Sequence, residues 1–294
     1  MEQWFFTREE LHLAPTIVNH GASVSQEQSK RAQGCSYIQT VGCRLKLPQI
    51  TVATAMVYFH RFYIRCSFKD HNMNHVAGAC IYLACKVEES SRKANDVTSA
   101  CLTILYSRSN SNEDRQQLYT SWRSAILWYE RFLLETLCFD MTVEHPQQLV
   151  LEFATELDAP ENVTLAAYGF ANDSLRLPLC LIFDPQMIAA ACMLLAFKAE
   201  DEVIPTGTDT IWGRTLEQEP GLLAEIVGDI ACLYTDQNSI QSGSESSSSS
   251  SVSPVTSNNH SPTSHRRNGI AQSTLRNGYT NGHSHHEVSQ PSPP

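Results

Sequence analysis

The 294-residue chain has no Cys-x-x-Cys pair, although it carries ten cysteines. A zinc knuckle or a thioredoxin-like redox site therefore has no spacing to support it. Positive charge is scarce: 21 Lys and Arg stand against 31 Asp and Glu, a net charge of −10. Such a chain lacks the basic footprint of a non-specific nucleic-acid binder and is not steered to anionic lipid. Long apolar runs are missing. The longest, Val76 to Cys85, falls far short of the roughly 20 residues that span a bilayer. The start, Met1 to Phe6, lacks the basic segment of a signal peptide. There is no Gly-rich phosphate loop, no Gly-x-Ser-x-Gly elbow and no His-Glu-x-x-His. The expectation is a soluble intracellular protein of a reducing compartment, with no catalytic residue, no metal site, no cofactor and no membrane contact.

The cysteines fit that reading. Cys80, Cys85 and Cys192 sit inside apolar runs, where thiols act as small hydrophobes. A cysteine nucleophile would need an electropositive, exposed setting that neither Cys80 nor Cys85 offers.

Composition shifts near Asp236. From 237 to 294 the chain is Ser, Asn, Gly, His and Pro, with a serine run at Ser246–Ser251. Apolar residues there are too sparse to offset ordering entropy, so a disordered tail is expected. The tail holds Arg266, Arg267 and Arg276 against Glu245 and Glu287, which leaves the acidity in the folded part. Ahead of the tail, apolar residues recur at helical spacing and no sustained alternation appears. The spacing predicts helices at 30–44, 51–64, 75–87, 94–105, 119–138, 147–157, 163–175, 185–199 and 221–234. The polar stretch Ser107–Asp114 reads as a loop, and Pro205–Pro220 as less regular.

Val76–Cys85 and Ile188–Phe197 have no polar face, so each must be a helix surrounded by others. At an offset of 112 they match at Ala77/Ala189, Ala79/Ala191, Cys80/Cys192, Leu83/Leu195 and Ala84/Ala196. The match runs on through Lys86/Lys198 and Glu88/Glu200. Two unrelated buried helices would share Ala and Leu through helix propensity. They would not share the Lys and Glu, so an internal repeat is the simpler reading.

Two charges stand out. Glu130 has Ile126, Leu127, Leu133 and Leu134 as its helical neighbours, and a carboxylate there needs a partner. Lys86 ends the first buried helix, where the dipole alone favours a cation. Alternatively, the two lie together at one end of a helical surface and present a donor and an acceptor to another protein. His60 could be a ligand, but reads better as a core or boundary histidine.

The run Tyr58–Tyr63, then Ser67-Phe68, then Ala79–Glu89 with its Lys-Val-Glu-Glu, resembles a cyclin box. Trp4–Leu11, Val41–Leu45, Glu144–Pro146 and Asn172–Leu175 resemble segments of the transcriptional cyclins of the T and K type. The resemblance covers about residues 1–236. It implies an all-α fold of two tandem five-helix cyclin-box repeats: extension 1–29, first repeat 30–141, second repeat 142–236, tail 237–294. It also implies a regulatory subunit, not an enzyme, that binds a cyclin-dependent kinase of the transcription-elongation class in the nucleus. Leu83, Lys86, Val87, Glu130, Leu134 and Phe139 would contact the kinase, on the first repeat only.

The kinase's implied substrate is the C-terminal repeat domain of RNA polymerase II. Ser253, Ser261 and Ser292 each precede proline and are candidate phosphosites. The bound kinase could phosphorylate them in cis, and His260, His265, His283, His285 and His286 could help the tail engage polymerase repeats, or the tail could be inert. The main alternative is a cyclin-fold basal transcription factor contacting DNA, which should carry a basic face. A helical scaffold without a kinase would leave Lys86 and Glu130 unused.

Overall fold

The computed structural model describes residues 2–106, 112–205, 211–218 and 220–242. A short 3-10 turn at Glu2–Trp4 leads into two four-residue helices, α1 (Arg8–Leu11) and α2 (Pro15–Val18). Five helices follow: α3 (Val24–Leu45), α4 (Gln49–Arg65), α5 (Met73–Val87), α6 (Ala94–Leu105) and α7 (Asn112–Thr136). Five more come after a linker: α8 (Pro146–Glu156), α9 (Glu161–Ser174), α10 (Pro185–Ala199), α11 (Ile211–Gln218) and α12 (Pro220–Ser242). A 3-10 turn at Pro178–Leu181 joins α9 to α10. No strand occurs among the described residues.

The two helices without a polar face organise the molecule. α5 is buried from Val76 to Ile81 and from Leu83 to Cys85, and packs against α3, α4, α6 and α7. α10 is buried from Ile188 to Met193 and packs against α8, α9, α11 and α12. Each centres its own apolar core. Burying one such Val, Leu or Ile side chain contributes about 1.5–3 kcal/mol, so each core far outweighs any single polar contact. Close approach of α3 and α4 depends on glycine. A Cβ on Gly34 of α3 would fall 2.0 Å from the Phe59 ring of α4, so no larger residue fits there.

The N-terminal segment joins the two halves. Trp4 is buried and its indole Nε1 donates to Asp140 Oδ2 at 3.0 Å. Two guanidiniums, Arg61 and Arg65, lie 5.0 and 4.2 Å from its ring centroid. Two residues on, the Phe6 amide donates to the Leu181 carbonyl at 2.7 Å, and Arg8 pairs with Glu225 and Asp229 of α12. His60 makes a second bridge. Its Nε2 donates to the Leu175 carbonyl at 2.9 Å, and its Nδ1 accepts from Arg31 Nη1 at 3.3 Å. His60 is therefore a core histidine with both ring nitrogens engaged.

Several boundaries differ from the sequence expectation. α3 begins at Val24, inside the stretch read as an extension, because Ser23 and Gln26 form a reciprocal capping box. The extension itself is helical in part, and Thr7 with Glu10 caps α1 in the same way. α7 begins at Asn112, inside the stretch read as a loop, and the rest of that stretch, 107–111, lies outside the described residues. α11 was expected to be irregular; its buried Trp212 and Thr215 anchor it on the second core. α12 runs on to Ser242, past the expected tail boundary. The tail beyond it, with Ser253, Ser261 and Ser292, lies outside the described residues.

Candidate functional site

Lys86 is in the last turn of α5 and Glu130 is three-quarters of the way along α7. The packing of these two helices brings the ammonium and the carboxylate together as an ion pair. The Lys86 side chain is 47 % exposed and Glu130 only 14 %. The carboxylate is thus set into the apolar face that its neighbours predicted, and its partner within this chain is Lys86. Lys86 Nζ also stands 4.3 Å from the centroid of the Tyr82 ring. Burial opposes the lysine's charge, but Glu130 and Tyr82 outweigh it and raise its pKa. Lys86 reaches water, while Glu130 is largely covered.

The apolar residues expected beside the pair divide by burial. Leu83 belongs to the first core and is 4 % exposed, so it underlies the surface without presenting much of itself. Leu134 is half-buried, and Val87 is exposed at the end of α5. Phe139 is 69 % exposed, more than any other aromatic of the described residues. Its backbone is left-handed, φ 57°, and so is that of Cys138, φ 54°. This turn closes α7: the Phe139 amide donates to the Leu134 carbonyl at 3.0 Å. A bulky residue held at positive φ costs about 1–2 kcal/mol, and the ring gains little burial in return. The left-handed pair Cys138–Phe139 thus ends α7 and leaves the Phe139 ring in solvent.

The repeated Glu of the two halves has a structural account. Glu88 and Glu200 are the C-caps of α5 and α10. Glu88 accepts from Thr54 Oγ1 of α4 at 2.7 Å, and Glu200 accepts from Asn162 Nδ2 of α9 at 2.7 Å. Each carboxylate latches the buried helix to the same neighbour in its half. Lys198 is exposed like Lys86, but among the described residues it forms no ion pair. It borders a groove with Asp201, Glu202 and Leu223.

Of the cysteines and histidines singled out in the sequence, Cys80, Cys85, Cys192 and His60 are buried. Burial pushes the Cys80 thiol well above its ordinary range and raises Cys85 and Cys192 as well. Burial, reinforced by Arg31, depresses His60 to about 3. His145, just ahead of α8, is depressed to about 4 by burial and by Arg61. Its Nε2 donates to Thr54 Oγ1 at 2.8 Å, while its Nδ1 has no partner. Among the described residues no cluster of three His, Cys, Asp or Glu could hold a metal ion, and no helix is long and apolar enough to cross a membrane.

Two five-helix halves, each wrapped around one buried helix, define the class: the fold is a double cyclin fold. The family profile described as "Cyclin, N-terminal domain" matches residues 3–142. Cyclin pch1 of Schizosaccharomyces pombe is 43% identical over 209 residues, which covers 70% of this chain and 61% of the relative. Cyclin-T1-3 of Oryza sativa is 33% identical over 241 residues, covering 81% and 49%. Cyclin-T2 of Mus musculus is 35% identical over 208 residues, covering 70% and 29%. A chain of the yeast RNA Pol II CTD kinase CTDK-1 complex superposes with a TM-score of 0.64 at 20% identity, covering 78% of this chain and 72% of that chain. A chain of the yeast TFIIK (Kin28/Ccl1/Tfb3) complex gives 0.56 at 20% identity, covering 78% and 95%. At these identities the structures show the fold alone. The chain belongs to the cyclin family, on its transcriptional T/K-type branch. It spans about half the length of the curated relatives it matches.

Proposed function

We propose that this chain is the regulatory subunit of a cyclin-dependent kinase of the transcription-elongation class, and not itself an enzyme. The observation that carries the proposal is the Lys86–Glu130 pair: two opposite charges brought together from different helices, with Val87, next in sequence to Lys86, exposed. Lys86, Val87, Glu130, Leu134 and Phe139 would seat the kinase, with Leu83 as their base. A kinase is fast only when its own Lys–Glu pair and activation loop are in place. A partner shifts that equilibrium by binding the active arrangement more tightly. Lys86 and Glu130 supply three donors and up to four acceptor sites for backbone groups of the partner.

The name of the CTDK-1 complex, a Pol II CTD kinase, supports the C-terminal repeats of RNA polymerase II as substrate, with action in the nucleus. The tail from 237 would act outside the kinase contact, with Ser253, Ser261 and Ser292 as targets of the bound kinase. The same reading divides the rest of the chain into an N-terminal extension ahead of α3 and two repeats, α3–α7 and α8–α12. The net charge of −10 weighs against direct DNA contact. Affinity purification of the full chain from cells, followed by identification of the associated kinase and its preferred peptide, tests the proposal. A kinase that prefers Ser-Pro repeat peptides is the expected result. Recovery without any kinase overturns it.

Phe139 allows a sharper check. Phe139→Asn puts a residue tolerant of the left-handed region at this exposed turn. Stability is expected to hold or rise by about 1 kcal/mol, while kinase affinity falls about tenfold or more, the cost typical of a truncated aromatic anchor. Unfolding curves and a binding titration separate the two. Affinity equal to that of the unaltered protein removes Phe139 from the contact.

A further inference from the structure

Positive charge is scarce in this chain, yet four cations gather at one corner of the first half. Arg44 and Lys46 stand at the end of α3, and Arg92 and Lys93 lead into α6. Arg92 joins the two stretches. Its Nη2 donates to the Leu45 and Lys46 carbonyls at 3.3 and 3.4 Å, and its Nη1 to the Ser90 and Ser91 carbonyls at 3.1 and 3.2 Å. All four acceptors are neutral, so nothing there cancels the charge of the guanidinium. Arg44, Lys46 and Lys93 are exposed, and among the described residues none of the three side chains has a hydrogen-bond or ion-pair partner. The dipole of α3 accounts for Arg44 and Lys46 at its end, but Lys93 is the N-cap of α6, where the dipole adds to the positive field.

Acid close by in sequence is limited to Glu88, Glu89 and Asp96. Glu88 is turned onto Thr54 of α4, which leaves Glu89 and Asp96 exposed at the surface. The corner is thus net positive on a chain of net charge −10. A surplus of this size matches one phosphoryl group, which carries about −1.5 to −2 at neutral pH. It does not match a polyanion, whose further phosphates would meet the acidic remainder of the chain.

We propose that this corner binds a phosphoserine of the kinase's own substrate, a Ser-Pro repeat peptide that has already been phosphorylated once. The identity of the partner rests on the function proposed above; the positive corner does not. Ammonium and guanidinium groups clustered in this way are the ordinary receptors of a phosphorylated peptide. Ser90–Lys93 follow directly on the end of α5 that carries Lys86. A repeat held there stays beside the bound kinase, and the next repeat is presented to it.

Fluorescence anisotropy with the full chain alone tests the site without any kinase. The probe is a labelled Ser-Pro repeat peptide, with and without one phosphoserine. The phosphorylated form is expected to bind about tenfold more tightly at low salt, the worth of one charge-assisted contact, and the advantage should shrink as salt is added. A triple variant, Arg44→Ser with Lys46→Ser and Lys93→Ser, keeps Arg92 and its carbonyl bonds, and should bind the two peptides equally. In the assembled complex the phosphorylated peptide should show a KM about tenfold lower with kcat unchanged. The triple variant should erase that difference and keep full activity on the unphosphorylated peptide. Equal binding of the two peptides by the unaltered chain would overturn the proposal. So would an advantage that survives in the triple variant, or a single-stranded RNA of equal length that binds the same residues more tightly. A chain that recruits no kinase would sink the function proposed above and still leave the anisotropy comparison to decide the site.

Discussion

Lys86→Ala is expected to leave the protein folded and to strip most of its grip on the kinase. The ammonium is nearly half exposed, and surface ion pairs contribute about 0–1 kcal/mol, so the fold loses little. In the proposed complex the same group is desolvated against the partner's backbone. Truncating one side of such a contact costs about 2–5 kcal/mol, which is a loss of roughly thirtyfold or more. Glu130→Ala should behave alike. Because the two side chains touch, their effects should not add: the double variant is expected to lose less than the sum of the singles. A titration of kinase activity against each variant gives the three numbers. Full activation by both single variants would discard this surface as the kinase contact.

Acid is expected to unfold the protein earlier than its carboxylates would dictate. His60 and His145 are both neutral in the fold, depressed to about 3 and about 4. A free histidine titrates near 6.5, so below that pH the unfolded chain binds protons that the folded chain refuses. The stability these two contribute is complete above about pH 6.5. It falls as the pH drops, down to about 4 for His145 and about 3 for His60. Each costs about 1.4 kcal/mol per pH unit, and His145 alone amounts to about 3 kcal/mol by pH 4. Against a typical total of 5–15 kcal/mol that is a large share. Denaturant unfolding between pH 6.5 and 5, where the acids are still ionised, isolates the effect. His71 and His75, also lowered by burial, add to the slope; His145→Gln should reduce it by about 1 kcal/mol per pH unit, and an unchanged slope would mean that His145 is not buried neutral.

The two central helices were legible because Val76–Cys85 and Ile188–Phe197 carry no polar face; α4, buried without a break from Thr51 to Ile64, did not announce its burial because it carries Thr54, His60 and Arg61. Glu130 was legible for the opposite reason, a charge among four apolar neighbours. The sequence did not reveal that Lys86 would satisfy it within the same chain, since that depends on how α5 and α7 cross. Phe139 came only from the family resemblance; its left-handed backbone has no signature in a Cys-Phe-Asp stretch, where glycine or asparagine would have announced it. The early start of α3 and the existence of α1 did have a signal. Ser23-x-x-Gln26 and Thr7-x-x-Glu10 are capping boxes, outweighed by the polar composition around them. α11 stayed hidden because its place is set by Trp212 entering the second core, a contact that no local pattern encodes.

The Trp4 plug also dictates where the chain can be cut. A fragment trimmed to its long helices, starting at Val24, would leave Arg61 and Arg65 bare, release Asp140 from its indole donor and open Leu181 to solvent. The front two dozen residues, which look dispensable by length, are therefore a clasp, and recombinant versions of this protein should carry tags at the far end.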